Sequence, residues 1–193
     1  MGVGGVGVAL LNPDQLTRGE YLKKQEEYQK KRALLAVYRD REPVDADGKR
    51  YGLYANIGSP AEAEAAAAAG AEGVGLFRTE FLFMDRTSVP SETEQMEAYQ
   101  AVSRTMAGKE VIIRTLDVGG DKAIDYLGMV AEENPFLGHR AIRYCLDHPE
   151  IYKVQLRALL RAGAEHRNLK IMLPLVTGVE EIREITSART MPA

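Results

Sequence analysis

The sequence predicts an α/β fold built on a parallel sheet, and three observations predict it. Short apolar runs alternate with helical stretches over residues 51–187, in the order strand, helix, strand, helix, strand, two helices, strand, helix. Parallel strands need such crossover helices, because a tight turn joins only antiparallel neighbours. Two of the strand segments, residues 73–78 and 110–116, run into the same word, Arg-Thr, at Arg78-Thr79 and Arg114-Thr115. Helix punctuation also falls where the alternation needs it, with Ser59-Pro60 opening one helix and Gly70 closing it. An open doubly wound sheet and a (β/α)8 barrel both satisfy this order. The residues after Arg50 hold four strands, half of the eight that a barrel needs.

Taken in order, residues 3–11 read as the end of a strand that Asn12-Pro13 closes. Residues 14–38 scatter Leu16, Leu22, Tyr28, Leu34 and Leu35 among Lys, Glu, Gln and Arg. They predict a half-exposed connecting helix capped by Asp14. Residues 42–49 form a polar turn or hairpin. The first strand of the alternating region covers residues 51–57 and the Ala/Glu helix residues 60–69. Residues 73–78 are the next strand. Residues 91–106 form a helix in which Ser91 and Glu94 have capping-box spacing. Residues 110–116 are the third strand, 134–147 and 149–164 two helices, 169–176 the fourth strand, and 179–187 the start of another helix.

Composition narrows the function classes. A 193-residue chain with 45% hydrophobic and 27% charged residues has enough apolar material for a packed core. The formal net charge of −3 gives no basic field for nucleic acid. A single cysteine, Cys145, excludes an internal disulfide and fits a reducing, cytoplasmic setting. The Gly/Val-rich start lacks the basic region of a signal peptide and the length of a membrane span, so no membrane partner is expected.

The candidate chemistry lies at the strand ends, the edge where parallel α/β architectures carry their sites. Arg78 and Arg114 end equivalent strands, and a planar guanidinium suits a carboxylate or phosphate. Two outcomes are open: a shared anionic ligand, or pairing with local acids such as Glu80 and Asp117. The loop Gly119-Gly120-Asp121-Lys122 could bring backbone close to a ligand and Lys122 to a phosphate, although it lacks P-loop spacing. Arg140 and Arg143, three residues apart, share a face if their segment is helical. His139, His148 and His166 have no metal-ligand spacing, and Cys145 falls on the apolar side of a helix as a core residue.

Four words then stand together: Ala55-Asn56-Ile57-Gly58, residues 73–84, residues 114–122, and residues 133–143, which read Glu-Asn-Pro-Phe-Leu-Gly-His-Arg-Ala-Ile-Arg. With them the chain resembles enzyme I of the bacterial phosphoenolpyruvate:sugar phosphotransferase system, in order from about Val3 to Arg183. Pyruvate phosphate dikinase and phosphoenolpyruvate synthase share similar Arg-Thr-Glu and Asn-Pro-x-x-Gly-x-Arg words. The Gly-Gly-Asp-Lys loop and the longer Asn-Pro word look more like enzyme I.

The resemblance implies an internal piece with three parts. Residues 1–13 would be a remnant of a swivelling phosphohistidine domain, 14–50 a linker helix and turn, and 51–193 the first half of a (β/α)8 TIM-type barrel. It implies that Arg78 and Arg114 bind the phosphate of phosphoenolpyruvate (PEP), with Lys122 and Arg140 supporting. For the intact parent it implies a Mg²⁺ cofactor, a phosphocarrier protein as partner, a homodimer and a cytoplasmic location. The family's acceptor histidine, metal ligands and acid cysteine match nothing in this sequence, so no catalytic or metal-binding residue is expected and the segment alone should be inactive. Two other readings remain: a half-barrel serving as a binding or dimerisation module, and a fragment of a dikinase or synthase.

Overall fold

In the computed structural model of the chain, residues 11–119, 124–129 and 138–190 are described. The expected strand over residues 3–11 lies outside them except for Leu11, which sits in a bend. The chain divides into two compact units, residues 1–52 and 53–193. No helix among the described residues is long and apolar enough to cross a membrane.

The first unit contains α1 (Gln15–Tyr38), started by the Asp14 carboxylate, which accepts the Thr17 backbone N–H at 2.7 Å. The helix buries none of its residues, so it is more exposed than its composition predicts. Leu16, Leu22, Tyr28 and Leu34 recur every sixth residue. Each step turns about 240° at about 100° per residue, which spreads the apolar groups around the cylinder instead of along one stripe. The polar turn is a short hairpin with an antiparallel bridge between Val44 and Arg50. Asp45 ties it by accepting the backbone N–H groups of Asp47 and Lys49 and the Tyr51 hydroxyl.

The second unit holds β1 (Tyr54–Ile57), α2 (Pro60–Ala68), β2 (Gly73–Arg78), α3 (Glu92–Thr105), β3 (Glu110–Arg114), α4 (Ile142–Asp147), α5 (Pro149–His166), β4 (Leu169–Met172) and α6 (Val179–Thr190). All the strands pair in parallel, in the order β1-β2-β3-β4. Sheet order that follows chain order has no reversal point, and it is compatible with part of an α/β barrel.

Alternation gives the sheet two faces, with a register irregularity in β2 between Val74 and Phe77 that brings both to the inward side. Ile57, Val74, Phe77, Val111 and Ile113 turn toward α2, α3 and α5 and meet Ala63, Tyr99, Val102, Met106, Ala158, Leu159 and Ala162 in the main core. Arg78 and Arg114 each follow one of these inward residues and so belong to the other face, at the C-terminal strand ends. A second cluster, with Phe83, Leu116, Val118, Ile142, Tyr144, Cys145, Tyr152, Leu156 and Ile185, packs where the chain leaves β2 and β3. The Ser91–Glu94 capping box forms, with Ser91 Oγ accepting the Glu94 N–H and the Glu94 carboxylate accepting the Ser91 N–H.

Two expectations need correction. The helix expected over 134–147 is helical only from Ile142 among its described residues. Ala141 sits at φ 52°, ψ −122°, a backbone geometry that no helix tolerates, and its N–H is drawn to the Val118 carbonyl at 3.2 Å. Arg140 and Arg143 therefore do not share a helix face. The fourth strand stops at Met172 rather than Val176, two residues short of Pro174.

One buried polar chain fastens the strand ends. Gln155 on α5 accepts the Leu116 N–H at 2.8 Å and approaches the Thr79 hydroxyl at 3.1 Å and the Tyr99 hydroxyl at 3.2 Å. Thr79 in turn donates to the Arg114 carbonyl at 2.8 Å. Gln155 is 1% exposed, so a partner left behind by its removal has no water to turn to. Gln155→Leu should therefore lower the unfolding free energy by about 1–3 kcal/mol, the cost of orphaning a buried donor. Urea denaturation checks this as a lower midpoint at unchanged slope.

Candidate functional site

The site is built by two adjacent strand ends. β2 and β3 pair with Arg78 directly opposite Arg114. Neighbouring strands lie about 4.8 Å apart, so two cationic side chains leave the same face side by side. The arrangement stands only if something offsets their repulsion.

Arg114 is offset twice. Its Nη2 is 2.6 Å from Glu80 Oε1 and its Nη1 3.0 Å from Asp117 Oδ2. Asp117 also takes Arg140, whose Nε and Nη2 donate to Oδ1 at 3.1 and 2.8 Å. Glu80 is fully buried, Asp117 4% exposed and Arg140 7%. Two carboxylates thus balance two guanidiniums in a dry cluster. Local backbone aims them: Glu80 lies in the 3-10 turn Thr79–Leu82 that directly follows β2, and Asp117 lies just beyond the end of β3.

Arg78 is treated differently. Its guanidinium carbon stacks over the Phe81 ring, 4.8 Å from the centroid, and its Nε is buried without a hydrogen-bond partner. Among the described residues no carboxylate pairs with it. The sequence left two outcomes for these arginines, and the structure divides them. Arg114 takes both nearby acids, while Arg78 brings to the same strand edge one cationic charge with no counter-ion among the described residues.

Gly119 contributes by close approach. It has φ 130°, and a methyl group there would fall 2.4 Å from Arg140 Cβ. Its missing side chain admits the Arg140 segment, so in the described residues the close backbone approach serves the ion cluster. Lys122 and Asp121, like Glu132 to Leu137, lie outside the described residues. Arg143 donates from Nη1 to the Gly138 carbonyl at 2.7 Å. His139 Nε2 lies 2.7 Å from Asp147 Oδ2 at an exposed position. Cys145 is buried, with its Sγ 3.6 Å from the Leu116 carbonyl, and burial pushes its thiol pKa up. Sequence reading missed Gln155 and Phe81; neither residue type announces a site, and only the fold brings them to the arginines.

A metal does not fit this donor set. Glu80 and Asp117 are both paired to arginine, and among the described residues no three His, Cys, Asp or Glu side chains converge on a point that could hold an ion.

Comparison with known proteins adds an independent line. The family profile described as PEP-utilising enzyme, PEP-binding domain, matches residues 32–191. Proteins named phosphoenolpyruvate-protein phosphotransferase are similar over nearly the whole chain. The one from Staphylococcus carnosus (strain TM300) is 50% identical over 181 residues, covering 94% of this chain and 31% of the relative. Those from Geobacillus stearothermophilus and Bacillus subtilis (strain 168) are 46% identical over 178 residues, covering 92% of this chain and 31% of each relative. The chain thus spans about a third of the length of the curated relatives it matches.

Two outcomes follow from this geometry. Asp117→Ala removes the carboxylate that Arg114 and Arg140 share, leaving excess positive charge in the buried cluster, and should cost about 3–5 kcal/mol of unfolding free energy, as breaking a buried pair does. An exposed pair such as Arg157–Glu92 should matter by at most about 1 kcal/mol when broken. Denaturant titration of the two variants side by side measures the contrast. Cys145 should resist iodoacetamide at pH 8 in the native chain and react promptly in denaturant, because the thiolate is the nucleophile and burial suppresses it. Mass spectrometry of the alkylated protein reads this directly.

Proposed function

The chain belongs to the PEP-utilising enzyme family, PEP-binding domain, and from that premise we propose that Arg78 and Arg114 receive the phosphate of phosphoenolpyruvate. The observation that carries the reading is the register pair at the strand ends, in which Arg114 is fixed by acids and Arg78 has no counter-ion among the described residues. A phosphate brings the negative charge this edge lacks, and guanidinium N–H groups match its oxygens.

In this reading residues 51–193 are the first half of a (β/α)8 barrel, residues 14–50 a linker helix and turn, and residues 1–13 the end of a swivelling phosphohistidine domain. The strand order supports the barrel half, because each new strand adds to the same side of the sheet. The names of the relatives support a parent that moves the phosphoryl group of phosphoenolpyruvate to a protein. That parent would pass it through its own histidine to a phosphocarrier protein for sugar uptake, in the cytoplasm and as a homodimer.

The residues here bind and orient. Arg78 and Arg114 hold the phosphoryl oxygens while charge spreads over them in the transition state, the moment at which preorganised donors lower the barrier most. Arg140 acts through Asp117, which it clamps from the far side and which in turn holds Arg114. Lys122 supports the site on the ground of the family resemblance alone. The Mg²⁺ of the parent would take its ligands from the remainder of the barrel, as would the proton donor for the enolpyruvate, and the segment alone does not turn over.

Calorimetric titration of the chain with phosphoenolpyruvate tests this. Arg78→Ala orphans no carboxylate, so it should keep the wild-type circular dichroism and weaken binding about tenfold or more, the worth of a hydrogen bond to a charged group. Arg114→Ala should weaken binding and stability together. Binding indifferent to both substitutions would contradict the reading.

A further inference from the structure

We propose that Phe81 is the positioning residue for Arg78, its ring face supplying the attraction that carboxylates supply to Arg114. The proposal rests on the reading of the strand edge as a phosphate site and names the device that orients one of its two arginines without neutralising it.

The two arginines occupy equivalent places yet have opposite surroundings. Glu80 lies two residues beyond Arg78 and one before Phe81, but its carboxylate goes across the sheet to Arg114 at 2.6 Å. Asp117 also goes to Arg114, at 3.0 Å. Among the described residues Phe81 is what stands beside Arg78, with the guanidinium carbon 4.8 Å from its ring centroid. A carboxylate there would cancel the charge and compete with an incoming phosphate. A ring quadrupole attracts the cation and leaves its full charge in place.

The ring is itself held. Gly58, buried just past the end of β1, lies close to the ring, and a methyl group on Gly58 would fall 2.6 Å from Phe81 Cδ2 and 2.9 Å from Cε2. The ring therefore touches both a bare backbone and a guanidinium. Phe81 is 45% exposed, so substitution there removes little core packing.

This arrangement offers two independent handles. Phe81→Leu keeps apolar bulk and removes the π face, whereas Phe81→Tyr keeps the π face. Gly58→Ala leaves Phe81 intact and displaces its ring. In ¹⁵N-labelled protein the side-chain Nε–H signal of Arg78 should shift in Phe81→Leu and in Gly58→Ala and stay near its wild-type position in Phe81→Tyr. The Arg114 signal should hold in all three. Phosphoenolpyruvate should bind Phe81→Leu and Gly58→Ala about two- to fivefold more weakly than wild type, the range expected for a partly exposed cation–π contact, and Phe81→Tyr about as tightly. An Arg78 signal indifferent to Phe81, or a Phe81→Leu variant with wild-type affinity, overturns the proposal. A wild-type chain that binds no phosphoenolpyruvate overturns the reading of the site instead, and the response of the Arg78 signal still decides whether Phe81 positions it.

Discussion

Two arginines in register at the ends of adjacent parallel strands repel each other, and the second unit is organised around that fact. Arg78 and Arg114 leave β2 and β3 from paired positions on one face. The sheet can hold them there because Glu80 and Asp117, both removed from water, turn to Arg114, and Arg140 returns from beyond β3 to balance Asp117. Taking an ion out of water costs several kcal/mol, whereas an exposed pair is worth at most about one, so this cluster outweighs the surface ion pairs elsewhere on the chain. Its members are also mutually dependent: removing one acid leaves the two guanidiniums sharing a single carboxylate.

Neutral parts of the fold serve the same end. Gln155 reaches from α5 to the residue after Arg78 and to the second residue after Arg114, and so ties both strand exits to one helix. Thr79 closes the gap between the strands through the Arg114 carbonyl. Gly119 lacks a side chain where Arg140 must pass, and Ala141 accepts a positive φ beside it, a local strain of about 1–3 kcal/mol that the packed surroundings hold in place. Packing, hydrogen bonding and charge thus fix Arg114 and its acids, while Arg78 stacks on the Phe81 ring.

Much of this was legible in the sequence, for identifiable reasons. β2 could be read to its boundaries because a Gly opens it and an Arg ends it, and α3 because Ser91 and Glu94 cap it. Arg78 and Arg114 stood out because the same word ends two strands. Which acid served which arginine was not legible: Glu80 is near Arg78 in sequence, and only the register of β2 against β3 sends its carboxylate to Arg114. The helix before Ile142 was overextended because residues 138–141 are compatible with a helical pattern. The contact between Arg140 and Asp117, 23 residues away, overrides it. Gln155 and Phe81 carried no signal, since a glutamine on an amphipathic helix and a phenylalanine after a strand are ordinary until the fold sets them against the arginines. Lys122 and the Asn134-Pro135 word lie outside the described residues, and their part in the site rests on resemblance.

The central claim is that one guanidinium of the register pair is fixed by buried acids and the other is left charged for a phosphate. A crystal structure of the chain grown with phosphoenolpyruvate tests it most directly. The account predicts phosphate oxygens within hydrogen-bond distance of Arg78 and Arg114 at the C-terminal edge of β2 and β3, with Glu80 and Asp117 still on Arg114 and Phe81 still against Arg78. A carboxylate of the chain paired to Arg78, or a phosphate bound elsewhere with this edge left bare, would contradict it.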